Sequence, residues 1–167
     1  GPIQLEDALM RNETFYRPYH STIGNLLDQA YAATGFALLV DCHSMPSSAV
    51  AHMKGAAGPT PDIVLGDRFG SACSADLTEL IECHLSAAGL RVLRNKPYSG
   101  GFFTENHGRP RQNRHAIQIE INRALYMNEV TRARGSSFQA LQNLLTGMIN
   151  RLAMHIAPQQ EHLVAAE

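Results

Sequence analysis

The stretch "LLVDCHSMPSS", residues 38–48, decides the fold. Leu38, Leu39 and Val40 form the apolar run of a buried strand, predicted over residues 36–43. Asp41 and His43 then arrive at its carboxyl end. Ligands of open α/β sheets bind at the carboxyl ends of strands, so an acid and an imidazole at this tip mark where chemistry is expected. Alternation along a strand puts Asp41 and His43 on one face. Asp41 can therefore receive the second ring N–H of the imidazole, the supporting role carboxylates take behind metal-bound histidines. Cys42 points the other way, where a small buried filler is expected and not a catalytic thiol.

Working outward, Leu5, Leu9, Ile23, Leu26, Leu27 and Ala30 recur at helical spacing over residues 5–33, with Pro18 expected to kink or divide the segment and Gly35 to stop it. Residues 44–61 carry three Ser, three Pro and two Gly and read as a long loop directly after His43. "DIVLGD", 62–67, is a second strand. A helix follows from Ser74 or Asp76 to about Ala88, closed by Gly89. "LRVLRN", 90–95, and "HAIQIEI", 115–121, supply two more strands. Residues 136–156 form an amphipathic helix bearing Phe138, Leu141, Leu144, Leu145, Met148, Ile149 and Leu152. Strands alternating with helices predict an α/β fold, a mixed sheet flanked by helices. One domain is expected over residues 1–156, with a solvated tail at 157–167.

Composition removes several function classes. Fourteen basic and fifteen acidic residues give a net charge of -1, so neither nucleic acid nor an anionic membrane surface is an expected partner. No apolar run is long enough to span a bilayer. Three cysteines without CxxC spacing argue against a zinc knuckle or a disulfide framework and fit a reducing cytoplasm.

The strand at 115–121 sets Ile117, Ile119 and Ile121 on one face and Gln118, Glu120 and Asn122 on the other. A central strand would leave Glu120 partly desolvated and suited to proton transfer, whereas an edge strand would simply hydrate it. "NKPYSGG", 95–101, combines a proline-fixed turn with two glycines able to approach a ligand, or serves only as a tight connection. Arg68, in "GDRFGS", is a planar fork for a carboxylate or one half of a surface ion pair.

Five stretches in this order carry a family resemblance: "YRPYH" (16–20), "LLVDCHSMP" (38–46), "DIVLGDRFGSACS" (62–74), "NKPYSGGFFT" (95–104) and "HAIQIEINRALYM" (115–127). They resemble the N-formylglutamate amidohydrolase family, whose fold is similar to those of the zinc carboxypeptidases and aspartoacylase-type enzymes. The resemblance implies a zinc-dependent hydrolase that cleaves N-formyl-L-glutamate to formate and glutamate in histidine degradation. It implies that His43 is a zinc ligand, with Asp41 behind it, and that Glu120 is the general base and acid. Arg68 and Arg123 are then the candidates for gripping substrate carboxylates, with Asn95 and Tyr98 as neutral donors. A different N-acyl amino acid is the alternative substrate, and an inactive binding or assembly module the alternative class.

Zinc sites of this kind take three protein ligands. No His here is followed three positions later by Glu, and nothing before Phe36 supplies the missing His and acid. The chain is thus expected to correspond to the C-terminal portion of a family member, with a partial sheet lacking its N-terminal strands. Self-association or pairing with an N-terminal segment follows as an expectation.

Overall fold

The computed structural model describes residues 3–53 and 60–164. Helix α1 (Leu5–Arg11) runs through one π-helical turn (Asn12–Tyr16) into α2 (Arg17–Thr34). Of the expected kink or division at Pro18, the chain shows a local change of helix type just before the proline and no break in the helical backbone. The Arg17 N–H bonds back five residues to the Asn12 carbonyl, so the backbone widens just before the proline and the helix restarts with Pro18 in its first turn. A proline there removes a donor that the first turn leaves free. Gly35, at φ 68°, ends α2 as anticipated.

Strand β1 (Ala37–Met45) leads into the short helix α3 (Ser47–Val50) and a 3₁₀ turn (Ala51–Met53). Residues 54–59 of the expected loop lie outside the described residues. Strand β2 (Ile63–Gly66), helix α4 (Ala75–Ala87), strand β3 (Val92–Arg94) and helix α5 (Phe102–His107) follow. Strand β4 (Arg114–Asn122) and helix α6 (Phe138–Val164) complete the fold. The α6 backbone continues well past residue 156, through much of the stretch expected to be a tail. Strand β3 is half its expected length. Gly89 adopts φ 85° before it, and the Arg91 N–H is taken by the Asp62 side chain at 2.8 Å.

The sheet order is β1-β4-β2-β3, with β1 parallel to β4, β4 antiparallel to β2, and β2 parallel to β3. This is the mixed α/β sheet the pattern predicts, and β4 is one of its two inner strands. The register aligns Asp41 with Gln118 and His43 with Glu120. It also aligns Val64 with Glu120 and Gly66 with Gln118.

One sheet face holds Ile63, Leu65, Ile117, Ile119 and Ile121, packed under Leu77, Ile81 and Leu85 of α4 and Met148 and Leu152 of α6. Full burial of each such side chain contributes about 1.5–3 kcal/mol, so this layer is the main source of cohesion. The other face carries the polar residues and a small cluster of Met45, Val50 and Val64 beneath Met53 and Tyr98. No described helix is long and apolar enough to cross a membrane.

Candidate active site

The polar face is built by two adjacent strands in parallel register. His43 Nε2 lies 3.0 Å from Asp41 Oδ1. The side chain of Asp41 is largely covered, while that of His43 is half-exposed. With its Nε2 turned to Asp41, His43 presents Nδ1 as the ring nitrogen left for another partner. On the neighbouring strand Gln118 Nε2 donates to Glu120 Oε1 at 2.8 Å, and both residues are buried. Adjacent strands run roughly 4.8 Å apart, so the His–Asp pair and the Gln–Glu pair sit side by side. Glu120 is on an inner strand and 7% exposed, which resolves the two readings of its alternation in favour of the desolvated one. Gln118 went unassigned in the sequence, although its place two residues before Glu120 on the same face was the signal for it.

Backbone closes over part of this face. A Cβ on Gly66 would stand 2.5 Å from the Gly100 nitrogen and 2.7 Å from the Ser99 carbonyl carbon. The Ser99–Gly101 segment therefore lies directly on the sheet, and only glycine is compatible at position 66 without moving it. Gly100, at φ 112°, is backed by the Thr104 hydroxyl, and a Cβ on Gly101 would lie 3.3 Å from Gln118 Oε1. The glycine pair thus lies close to the protein's own sheet, with Gly100 taking the positive φ that a glycine permits.

Arg68 sits beyond the end of β2 in a turn with unusual backbone. Arg68, Phe69 and Gly70 all have positive φ, at 53°, 57° and 82°. For the two non-glycine residues this costs about 1–2 kcal/mol each and persists only where the surroundings enforce it. The enforcing group is Asp67, 4% exposed and not singled out in the sequence. Its Oδ1 accepts from Asn95 Nδ2 at 2.7 Å and from the Gly70 N–H at 3.2 Å, and its Oδ2 from the Thr78 hydroxyl at 3.1 Å. Asn95, itself at φ 59°, returns its Oδ1 to the N–H groups of Asp67 (3.2 Å) and Phe69 (3.4 Å). Both ends of the Asn95 amide therefore hold this turn.

The other candidates are distributed around the site. Tyr98 packs against the Met45, Val50 and Val64 cluster at the polar face. Arg123 donates from Nε to the Ser44 hydroxyl at 3.2 Å and from Nη2 to the Ser44 carbonyl at 3.3 Å, fastening the end of β1 next to His43. Cys42 is exposed and not buried as expected, because β1 is an edge strand with no neighbour on its far side among the described residues. Even so, local shelter of the thiol, and then the Asp41 carboxylate, push its pKa up. A thiol shifted that way is protonated at neutral pH and a poor nucleophile.

Among the described residues no group of three His, Cys, Asp or Glu side chains is disposed to hold a metal. His43 and its carboxylate match one position of a metal centre, with an imidazole oriented from behind. They do not make a closed donor set by themselves.

Comparison with known proteins bears directly on this arrangement. Residues 1–127 match the family model of N-formylglutamate amidohydrolase. An N-formylglutamate deformylase of Pseudomonas aeruginosa is 37% identical over 115 residues, covering 68% of this chain and 42% of the relative. One from Pseudomonas putida is 35% identical over 119 residues, covering 70% and 43%. The chain thus spans about two-fifths of the length of these curated relatives. The crystal structure of N-formylglutamate amidohydrolase from Ralstonia eutropha superposes with a TM-score of 0.85 at 37% identity, over 92% of this chain and 55% of that one. A gene product of Agrobacterium tumefaciens, 18% identical at a TM-score of 0.57, shares the fold. With both strands of the polar face inside the matched span, the chain belongs to the N-formylglutamate amidohydrolase family.

Proposed function

We propose that this chain supplies part of the active site of a metal-dependent amidohydrolase that cleaves N-formyl-L-glutamate to formate and L-glutamate. The observation that carries this reading is the His43–Asp41 pair lying directly beside the Gln118–Glu120 pair on one sheet face. His43 would hold a zinc ion through Nδ1, with Asp41 fixing the ring from behind and the remaining donors coming from outside the described side chains. A zinc ion held there would supply Lewis-acid chemistry to the formyl group and to the attacking water.

The residues themselves do the rest. Gln118 fixes Glu120 Oε1, leaving Oε2 to accept a proton from the attacking water. Glu120 then returns that proton to the departing amine nitrogen. Arg68 takes a substrate carboxylate, with Tyr98 flanking it as a neutral donor. Asn95 and Arg123 serve by holding the Arg68 turn and the His43 strand end in place. Cytoplasmic histidine breakdown is the proposed setting, and three free cysteines suit such a compartment.

The test is a chimera in which these residues replace the matched segment of the Pseudomonas aeruginosa relative. Formate should be released from N-formyl-L-glutamate, and Glu120→Gln should slow that release by about two to four powers of ten. A folded, zinc-loaded chimera releasing no formate from this substrate would overturn the assignment, and release from another N-acyl amino acid would redirect it. The 167 residues alone should keep little zinc after dialysis, because one imidazole leaves the ion mostly bound to water. Stoichiometric zinc in the isolated chain would show that the ligands lie elsewhere, with His20, His52, His84, His107 and His115 next to be substituted.

A further inference from the structure

We propose that Glu105 is an internal competitor for the Arg68 guanidinium, standing where a substrate carboxylate would bind and setting how tightly this end of the site takes a dicarboxylate. The idea rests on Arg68 gripping a substrate carboxylate, as proposed above.

Three observations converge on the pair. The backbone around Arg68 is held in the left-handed region by the buried Asp67–Asn95–Thr78 network, a strained arrangement of the kind that accumulates where a side chain must be aimed. The Arg68 stem lies over Gly100, since a Cβ there would meet its Cγ at 3.2 Å. The next residue, Gly101, rests against Gln118, which bonds Glu120. The guanidinium is thus carried to the rim of the polar face. Its partner there is already a carboxylate: Arg68 Nη2 lies 3.3 Å from Glu105 Oε1.

The form of that contact is what makes exchange inexpensive. It is an ion pair at 3.3 Å on the exposed rim, whereas a guanidinium can hold a carboxylate through two parallel, shorter hydrogen bonds. Glu105 is 65% exposed and Arg68 34% exposed, so water and salt screen the pair. An incoming carboxylate that uses both prongs displaces Glu105 into solvent, where its charge is readily hydrated. Arg68 meanwhile keeps a partner in either state. An exposed pair of this kind changes affinity by about two- to fivefold.

Glutarate, the five-carbon dicarboxylate with the skeleton of glutamate, is the probe. Titrated into isotopically labelled protein, it should move the Arg68 Nε–H and the Glu105 carboxylate carbon resonances together, with one shared Kd. Glu105→Gln should bind glutarate about two- to fivefold tighter at low salt. That gain should disappear near roughly 1 M salt, where screening acts within about 3 Å. If Arg68 responds while Glu105 stays still and Glu105→Gln binds with unchanged Kd, the competitor role is wrong and the carboxylate-binding role of Arg68 stands. If neither resonance responds, Arg68 is not a carboxylate site and both ideas fall.

Discussion

The two faces of β4 share one backbone, yet they live by different rules. On one, Ile117, Ile119 and Ile121 are closed over by α4 and α6, and all three are buried. On the other, Gln118, Glu120 and Asn122 are equally buried but polar. The apolar face gains stability from every methylene removed from water. The polar face must instead satisfy each buried group, which it does with the Gln118–Glu120 bond and the bond from Asn122 Nδ2 to the Pro61 carbonyl at 3.2 Å. Burying a carboxylate on an inner strand adds nothing to cohesion that an isoleucine would not supply better. The proposed proton-transfer role would account for its presence there.

The most demanding test of that contrast separates function from stability at neighbouring positions. In a chimera that releases formate, Glu120→Gln should lower turnover by about two to four powers of ten, the usual scale for a general acid–base group. Its denaturation midpoint should move little, because the amide can still pair with Gln118. Steady-state formate release and urea unfolding on the same preparation would decide it. Near-normal turnover would remove Glu120 from the mechanism. One residue earlier, Ile119→Ala should do the reverse, destabilising the fold by about 2–5 kcal/mol through lost transfer energy and a residual cavity. At temperatures where the variant remains folded, its KM should be unaltered. A large KM change there would mean that the faces are not independent.

How far the sequence disclosed each face follows the same division. Helix α4, helix α6 and the strand alternation were legible because periodic burial writes itself directly into residue type. His43, Asp41 and Glu120 were legible as strand-end and polar-face residues. The cover over the polar face was not. That Gly66 admits the Gly100 backbone depends on two segments more than thirty residues apart, and local pattern carries no record of the meeting. Asp67 escaped notice for a related reason, since an acid after a short strand looks like any surface turn until Asn95 and Thr78 are brought to it. Cys42 shows the opposite error, where alternation named its face correctly but could not show that β1 is an edge.

A smaller effect probes the frame around Arg68. Asn95→Ala removes both bonds to Asp67 and leaves a buried carboxylate short of a donor, which costs about 1–3 kcal/mol. It also puts Ala at φ 59°, a conformation that residue tolerates poorly. Arg68 should lose its aim, so glutarate affinity should fall while formate turnover at saturating substrate changes less. Thermal unfolding and the glutarate titration would check it. An Asn95→Ala protein with full stability and affinity would mean that the turn is held by other contacts.

The smallest effect belongs to the far end of the sheet, away from the polar face. His115 sits at the start of β4, stacked on Phe36 with ring centroids 4.9 Å apart, and its Nδ1 accepts the Ser74 N–H at 3.2 Å. Burial holds its pKa below the usual histidine value, with Asp76 opposing the shift only in part. The neutral ring is the one that fits. Protonation removes the acceptor for Ser74 and puts a positive charge at the start of α4, where the helix dipole disfavours it. A depressed folded value means that the unfolded chain binds the proton more readily. The contribution of His115 is therefore complete above the unfolded value, near about 6.5, and is lost as pH falls through the lower folded value. His107 is shifted in the same direction, by burial first and then by His20 and Arg109, so some acid sensitivity should survive without His115. Urea midpoints followed from about pH 7.5 down to about pH 5 should fall for the wild type and fall less steeply for His115→Gln. The two curves should converge toward the acid end. Curves that stay parallel over the whole range would assign the acid sensitivity to groups other than His115.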